Sequence, residues 1–257
     1  MSSIRLSGSS SGYYDLTVPA AAGTNSIDLS NLAVKDSNGN LGIGTASPTV
    51  KLEAAGDIKA NVSGANAQIS AITNGASNYA TFTVTNGSRS YSMQIRPDQS
   101  NAFVIRDETG GGNRFSIDTD GRVTMPKQPC FDVASNQGVA ANNYQTFNIQ
   151  YHNVGNHFSL ANNRFTAPVS GLYQFFATTI KSGSASGNVT RVYIYVNGSV
   201  ANGNRHVRLS EGSSYGTNGV GSWIISMSAG DYAQVYINSY GSHSSSEYTY
   251  FNGYLLQ

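Results

Sequence analysis

The chain has 257 residues, enough for one large or two to three small domains, and only 11% of them are charged, against about 25% in an average soluble protein. The formal net charge is +1, so no basic stripe exists to displace counterions, which argues against a nucleic-acid partner. No apolar run approaches the ~20 residues needed to cross a bilayer, so no membrane insertion is expected.

In chain order, short apolar runs alternate with turn residues and no sustained 3.6-residue period appears, which predicts an all-β chain. Residues 1–40 hold strand-like runs at 13–18 and 26–32 around the Pro19–Gly23 turn. This N-terminal β arm is too short to bury a core alone and must pack against sister chains or a partner. Residues 41–125 form a β-rich shaft or intermediate domain, with expected strands at 67–73, 79–85, 90–96, 102–106 and 114–118. Asn74-Gly75 and Asn86-Gly87 between them predict type I′ hairpin turns, which need positive φ at both central residues, and hence a small antiparallel meander. Residues 126–257 are densest in aromatics. Strands are expected at 131–134, 146–150, 164–167, 172–181, 190–196, 205–209, 222–227, 232–238 and 248–257, the number of a sandwich or jelly roll. Within "RFTAPVSGLYQFFATTI", Pro168 and Gly171 bracket a corner that feeds a buried strand.

Period-two reading of the last strands puts Val192, Ile194, Val196, Val235, Ile237, Phe251 and Leu255 in a core. The opposite face carries Tyr193, Tyr195, Tyr232, Tyr236, Tyr250 and Tyr254, where water would normally select polar or charged side chains. Tyrosine offers a large apolar body and a hydroxyl, which suits a subunit interface, so this Tyr face predicts self-association into an oligomer.

Catalytic and metal constellations are sparse. "DTDG" at 118–121 resembles the start of a calcium loop but lacks the rest of that pattern and reads as a hairpin turn. His152, His157, His206 and His243 show no metal-ligand spacing. "GSHSSSE" gathers Ser, His and Glu in one loop, whereas triads assemble from distant segments. The scattered acids propose no glycosidase pair. No enzyme activity, cofactor or metal site is expected. The single cysteine, Cys130, excludes an intrachain disulfide. Residues 1–10 lack the charged and apolar regions of a secretory signal, so synthesis in a cytoplasm is expected. Sequons at Asn61, Asn86, Asn188 and Asn197 then reflect an Asn/Ser-rich composition.

"FTAPVSGLYQF" at 165–175, "VYIYVNG" at 192–198, "SAGDYAQVYI" at 228–237 and "FNGYLLQ" at 251–257 resemble the C1q-like (C1q/TNF) domain in order and spacing. The resemblance implies a ten-strand jelly roll and a tight trimer. Upstream, "SGYYDLTVPAAAGTNSIDL", "LGIGTASPTVKLEAAGDI" and "RFSIDTDGRVTM" resemble bacteriophage tail-fibre and virion structural proteins. That resemblance implies an elongated homotrimer in the virion. Its N-terminal arm would attach to other virion or tail proteins, and its tip would bind a host cell-surface receptor, a glycan being one candidate. A purely architectural virion protein whose tip only trimerises is the alternative, and a depolymerising tailspike is a third. No Gly-X-Y stalk is present, which disfavours complement-type proteins. Strand parity in the family fold puts loops 181–188, 210–218 and 240–247 at the tip, with Lys181, Glu211, Tyr215, His243 and Glu247 as receptor-binding candidates.

Overall fold

The computed structural model describes residues 3–7, 13–17, 34–43, 45, 47–60, 66–180, 189–209, 218–238, 242 and 244–257. Among them the regular structure is β, apart from 3-10 turns at Pro97–Gln99 and Asn202–Asn204. The chain divides into two compact units, Met1–Ser70 and Ala71–Gln257. In the first, β1 (Ser3–Ser7) and β2 (Tyr13–Thr17) form an antiparallel hairpin. Strands β3 (Val34–Lys35), β4 (Leu41–Ile43) and β5 (Leu52–Ala54) form a small sheet whose β4–β5 pair is parallel. The strand expected at 26–32 lies outside the described residues.

The second unit opens with an antiparallel meander of β6 (Ala80–Thr85), β7 (Ser90–Arg96), β8 (Ala102–Asp107), β9 (Asn113–Ile117) and β10 (Val123–Thr124), in that spatial order. The strand expected at 67–73 does not form, and residues 66–75 run without strand pairing. Ile69 and Ile72 stand three apart, so a period of two cannot put both on one face, and they remain 60% and 82% exposed. Nor does Asn74-Gly75 make a hairpin; the Asn78 N–H closes a turn on the Gly75 carbonyl at 2.9 Å instead. The Asn86-Gly87 turn also differs from the expected I′ type. Neither residue has positive φ, because Asn86 Oδ1 accepts the N–H groups of Ser88 and Arg89 at 2.9 and 2.8 Å. The side chain replaces a turn backbone, and the loop lengthens to four residues between Thr85 and Ser90.

Asp107 closes one end of the meander with a fully buried carboxylate. It accepts the Gly110 N–H at 2.7 Å and pairs with the guanidinium groups of Arg89 and Arg114. These partners hold its pKa down at about 2, the Gly110 N–H contributing most.

The jelly roll follows, with β11 (Cys130–Ala134), β12 (Asn143–Tyr144), β13 (Ile149–Val154), β14 (Phe158–Ser159), β15 (Arg164–Thr166) and β16 (Gly171–Ile180) in its first half. The second half holds β17 (Thr190–Val196), β18 (Ser199–Val200), β19 (His206–Leu209), β20 (Asn218–Met227), β21 (Tyr232–Asn238) and β22 (Tyr250–Leu255). One sheet runs β13-β11-β22-β16-β20 and the other β14-β15-β21-β17-β18, with β12 added to β21 and β19 to β17. The expected strand at 146–150 is displaced to β13. Phe147 turns into the core at 3% exposure, and its N–H leaves the ladder to donate to Asn163 Oδ1 at 2.6 Å.

Aromatic rings fill the space between the sheets. Phe131 stacks on Phe158 and Phe165, each at 5.0 Å, and meets Phe251 edge-on at 4.8 Å. Tyr173 packs 5.4 Å from Phe165 and donates its hydroxyl to the Val169 carbonyl at 2.7 Å, which satisfies its one polar atom at no cost to packing. The Pro168–Gly171 corner therefore aims β16 into the core, as its sequence implies. Gly171 is required there, because a Cβ would lie 2.4 Å from the Gln257 carbonyl oxygen. Gly253 is required in β22 for a second close approach, a Cβ there meeting the Phe175 ring at 2.5 Å and the Phe131 ring at 3.0 Å.

Phe131→Ala should destabilise the jelly roll by about 3–5 kcal/mol, the usual range for emptying a buried phenylalanine site; urea unfolding would show it, and a loss below ~1 kcal/mol would contradict this packing. Because the Asp107 pKa is depressed on folding, its contribution is complete above the ordinary carboxylate pKa of about 4. That contribution is lost as pH falls towards its folded pKa of about 2. Thermal melting followed from pH 5 to pH 2, in the native chain and in Asp107→Asn, should show a steeper fall of Tm in the native chain; parallel curves would refute the assignment.

Candidate functional site

Each sheet of the jelly roll turns one face to the core and one outward, and the outward faces differ in chemistry. On the β14-β15-β21-β17 sheet, alternation along "TRVYIYV" and "YAQVYIN" buries Val192, Ile194, Val235 and Ile237 and turns tyrosines out. Register sets Tyr193 opposite Tyr236, and Tyr144 of β12 opposite the same residue. The rings pack against one another: Tyr195–Tyr236 at 4.6 Å, Tyr144–Tyr236 at 5.2 Å and Tyr144–Tyr195 at 5.7 Å. His206 of β19 extends the cluster, 4.9 Å from Tyr193. Tyr232 lies lower on the sheet, with the Arg164 guanidinium 4.5 Å over its ring. Burial within this cluster, followed by repulsion from neighbouring phenols, pushes the Tyr144 and Tyr195 hydroxyls above their ordinary pKa. They stay protonated donors at neutral pH, so the patch offers ring faces and hydroxyls but no nucleophile.

The opposite sheet turns out a different surface. Adjacent strands align Cys130, Tyr254, Gln174 and Ile224 in one row, and Ala134, Tyr250, Thr178 and Val220 in another, of which Ala134 and Thr178 are buried. Between them lie Asp132, Asn252, Phe176 and Ser222. Val220 is 59% exposed and Ile224 54%, on the edge strand β20. The Tyr254 ring stacks 6.5 Å from Phe176, and its hydroxyl donates to Gln174 Oε1 at 2.8 Å. Among these positions Asp132 alone carries charge.

The six tyrosines read as one face are thus divided by the topology. Tyr193, Tyr195, Tyr232 and Tyr236 share one sheet, whereas Tyr250 and Tyr254 belong to the other, because β22 pairs with β11 and β16 rather than with β21. Period-two alternation gives the side of a strand, not the sheet it joins. Tyr144 was missed, since "ANNYQTF" carries no alternation to mark it.

Where the sandwich opens between β19 and β20, Asn204, Arg205, His206, Val207, Ser222 and Trp223 line a shallow cavity of about 420 Å3. Trp223, the single tryptophan, forms its wall and donates Nε1–H to the Arg205 carbonyl at 3.2 Å.

Of the candidate receptor residues, Glu247 is exposed, in a turn where its N–H donates to Ser245 Oγ at 3.4 Å. Lys181, Glu211, Tyr215 and His243 lie outside the described residues. Near Glu247 in sequence, a buried polar network takes the place of apolar packing. Ser242 Oγ donates to Gln145 Oε1 at 2.6 Å and accepts the Val139 N–H at 3.0 Å. Gln145 Nε2 donates to the carbonyls of Gln137 and Thr146, while the Thr179 and Thr249 hydroxyls meet at 3.0 Å. Every named group has a partner, so the network fixes the segment after β11 against that preceding β22 and offers no reactive atom. Among the described residues no group of three His, Cys, Asp or Glu is placed to hold a metal ion.

Residues 130–256 match the C1q domain family. A search of curated proteins finds no match. Among solved structures, the globular domain of zebrafish complement 1qA is similar at 20% identity and a TM-score of 0.41, over 51% of this chain and 98% of its own. Murine APRIL at pH 5.0 aligns at 10% identity and a TM-score of 0.42, over 51% of this chain and 100% of its own. Eiger TNF from S. frugiperda aligns at 10% identity and a TM-score of 0.40, over 51% of this chain and 94% of its own. The family match coincides with the two-sheet jelly roll from β11 to β22: this part of the chain is a C1q domain.

Proposed function

We propose that the chain is a non-enzymatic, homotrimeric fibre component of a phage virion, in which the C1q domain both trimerises and presents a host-binding tip. The observation that carries the trimer is the outward face of the β13-β11-β22-β16-β20 sheet, where Val220, Ile224 and Tyr254 remain 59%, 54% and 39% exposed. Single exposed apolar residues are ordinary on a monomer, but here two aliphatics on the edge strand β20 share one face with Phe176 and Tyr254, interleaved with the uncharged Ser222, Gln174 and Asn252. Tyr250 and Tyr254 of the expected interface belong to this face. Tyr193, Tyr195 and Tyr236 pack among themselves on the other sheet, with Tyr232 beneath Arg164, a surface that self-association through the first sheet leaves for display.

The virion assignment rests on the resemblance of the upstream segments to tail-fibre proteins. In that setting the N-terminal arm joins other virion or tail proteins, and Lys181, Glu211, Tyr215, His243 and Glu247 contact the host receptor. Adsorption to host cells tests the tip. Replacing Tyr215 and His243 together by Ala should lower it without changing the assembled mass, whereas unchanged adsorption would favour a purely architectural C1q domain.

Light scattering on the full chain should give three times the single-chain mass of 27.1 kDa. Val220→Lys with Ile224→Lys should raise the concentration at which the assembly dissociates at least tenfold, since each buried lysine would lack a counter-charge. An unchanged dissociation midpoint would remove this face from the interface.

A further inference from the structure

The meander carries a second uncovered face, and its polarity is reversed. An exposed antiparallel sheet normally buries its apolar side and solvates its polar side. Here the polar side is finished. Ser92 is 2% and Gln94 9% exposed; Ser92 Oγ and Gln94 Nε2 both donate to Glu108 Oε1, at 2.5 and 2.7 Å. Arg106 Nε donates to the other Glu108 oxygen at 3.1 Å, and Arg96 Nη1 donates to Gln94 Oε1 at 3.1 Å. The apolar side is open over part of its area, with residues 71–78 flanking it at Ala80 and Ile95 and with Phe103, Ile105, Phe115 and Ile117 half-buried. Register aligns Ala80, Ile95, Phe103, Ile117 and Val123 in one row across all five strands, and Phe82, Met93, Ile105 and Phe115 in the next. Val84 and Tyr91 begin a third row, which ends at Asp107 and its arginines. Val84 is 70% exposed, Val123 54%, Met93 44%, Phe82 and Ile95 41% each, and Tyr91 39%. The two apolar rows carry no charge.

We infer that this face packs against the same face of the other copies in the trimer, so that the meanders form an apolar-cored shaft. Five strands about 4.8 Å apart and some six residues long cover roughly 400 Å2. A free-standing complex needs about 800 Å2 per partner, so the face is too small to hold an independent protein. Copies of the same chain do not meet that limit, because the C1q domain already gathers them. Only residues 125–129 separate β10 from β11, two of them prolines. Gln128 Nε2 donates to the Leu255 carbonyl at 2.9 Å, and the Leu255 N–H donates to the Pro129 carbonyl at 3.1 Å, which ties this link to the end of β22. A short, anchored tether gives the meanders a high effective concentration, so a small apolar contact suffices. The inference rests on trimerisation through the C1q domain.

The test uses the full chain with Cys130→Ser, its single native thiol removed, and one new cysteine. Met93→Cys and Phe82→Cys place it on the apolar face; Thr83→Cys, on the opposite face of the same strand as Phe82, is the control. A short bifunctional maleimide should link copies through position 93 or 82 at least tenfold more than through position 83, with the mass remaining trimeric. A trimeric mass with no such preference would overturn the shared shaft while leaving the C1q trimer standing. A single-copy mass would overturn both.

Discussion

The structure of the C-terminal half depends on one contact set, the rings that converge on Phe131. That side chain touches Phe158, Phe165 and Phe251 within about 5 Å and so joins residues from both sheets in a single cluster. Aromatic rings contribute more buried area per residue than aliphatics, which matters in a chain with so few charges to organise. Phe131 and Phe175 crowd the centre of β22, and the chain answers with Gly253. That glycine lets β22 lie between β11 and β16, so the first and last strands of the domain are neighbours. From that adjacency follow the closure of the sheet, the anchoring of the 125–129 link, and the separation of the tyrosines onto two surfaces.

How far the sequence could be read follows from which of these constraints are local. Strands β7, β17 and β21 stand at the bounds their alternation implies, because alternation is a property of neighbouring residues along one strand. Sheet membership is not local. Tyr236 and Tyr250 show the same alternation, and only the pairing of β22 with β11 and β16 sends them to different faces. Turn chemistry was half legible. Asp118 and Gly121, the latter at φ +83°, form the expected β9–β10 turn, whereas Asn86 uses its side chain where its backbone was expected to bend. The buried Gln145–Ser242 network was beyond reach, since nothing in a chain this rich in Ser, Asn and Gln distinguishes a buried amide from a solvated one. The candidate tip was legible only through resemblance, and of its residues Glu247 alone falls among those described.

Low charge also changes what an exposed apolar surface means. Soluble monomers guard sheet faces and edges with lysine, glutamate or proline. This chain spends its few ions elsewhere. Asp107, Arg89 and Arg114 close one end of the meander, and Glu108, Arg106 and Arg96 finish its polar side. Neither β20 nor the apolar rows of β6 to β9 carry a guarding charge at their outward positions. The tyrosine cluster on the other sheet differs in kind, because its rings already pack against one another. A surface of stacked phenols tolerates exposure, and a face of Val, Ile, Met and Phe does not. Two such faces lie on one unit, joined by a five-residue link, and in the proposed assembly the copies gathered at the C1q domain cover both together.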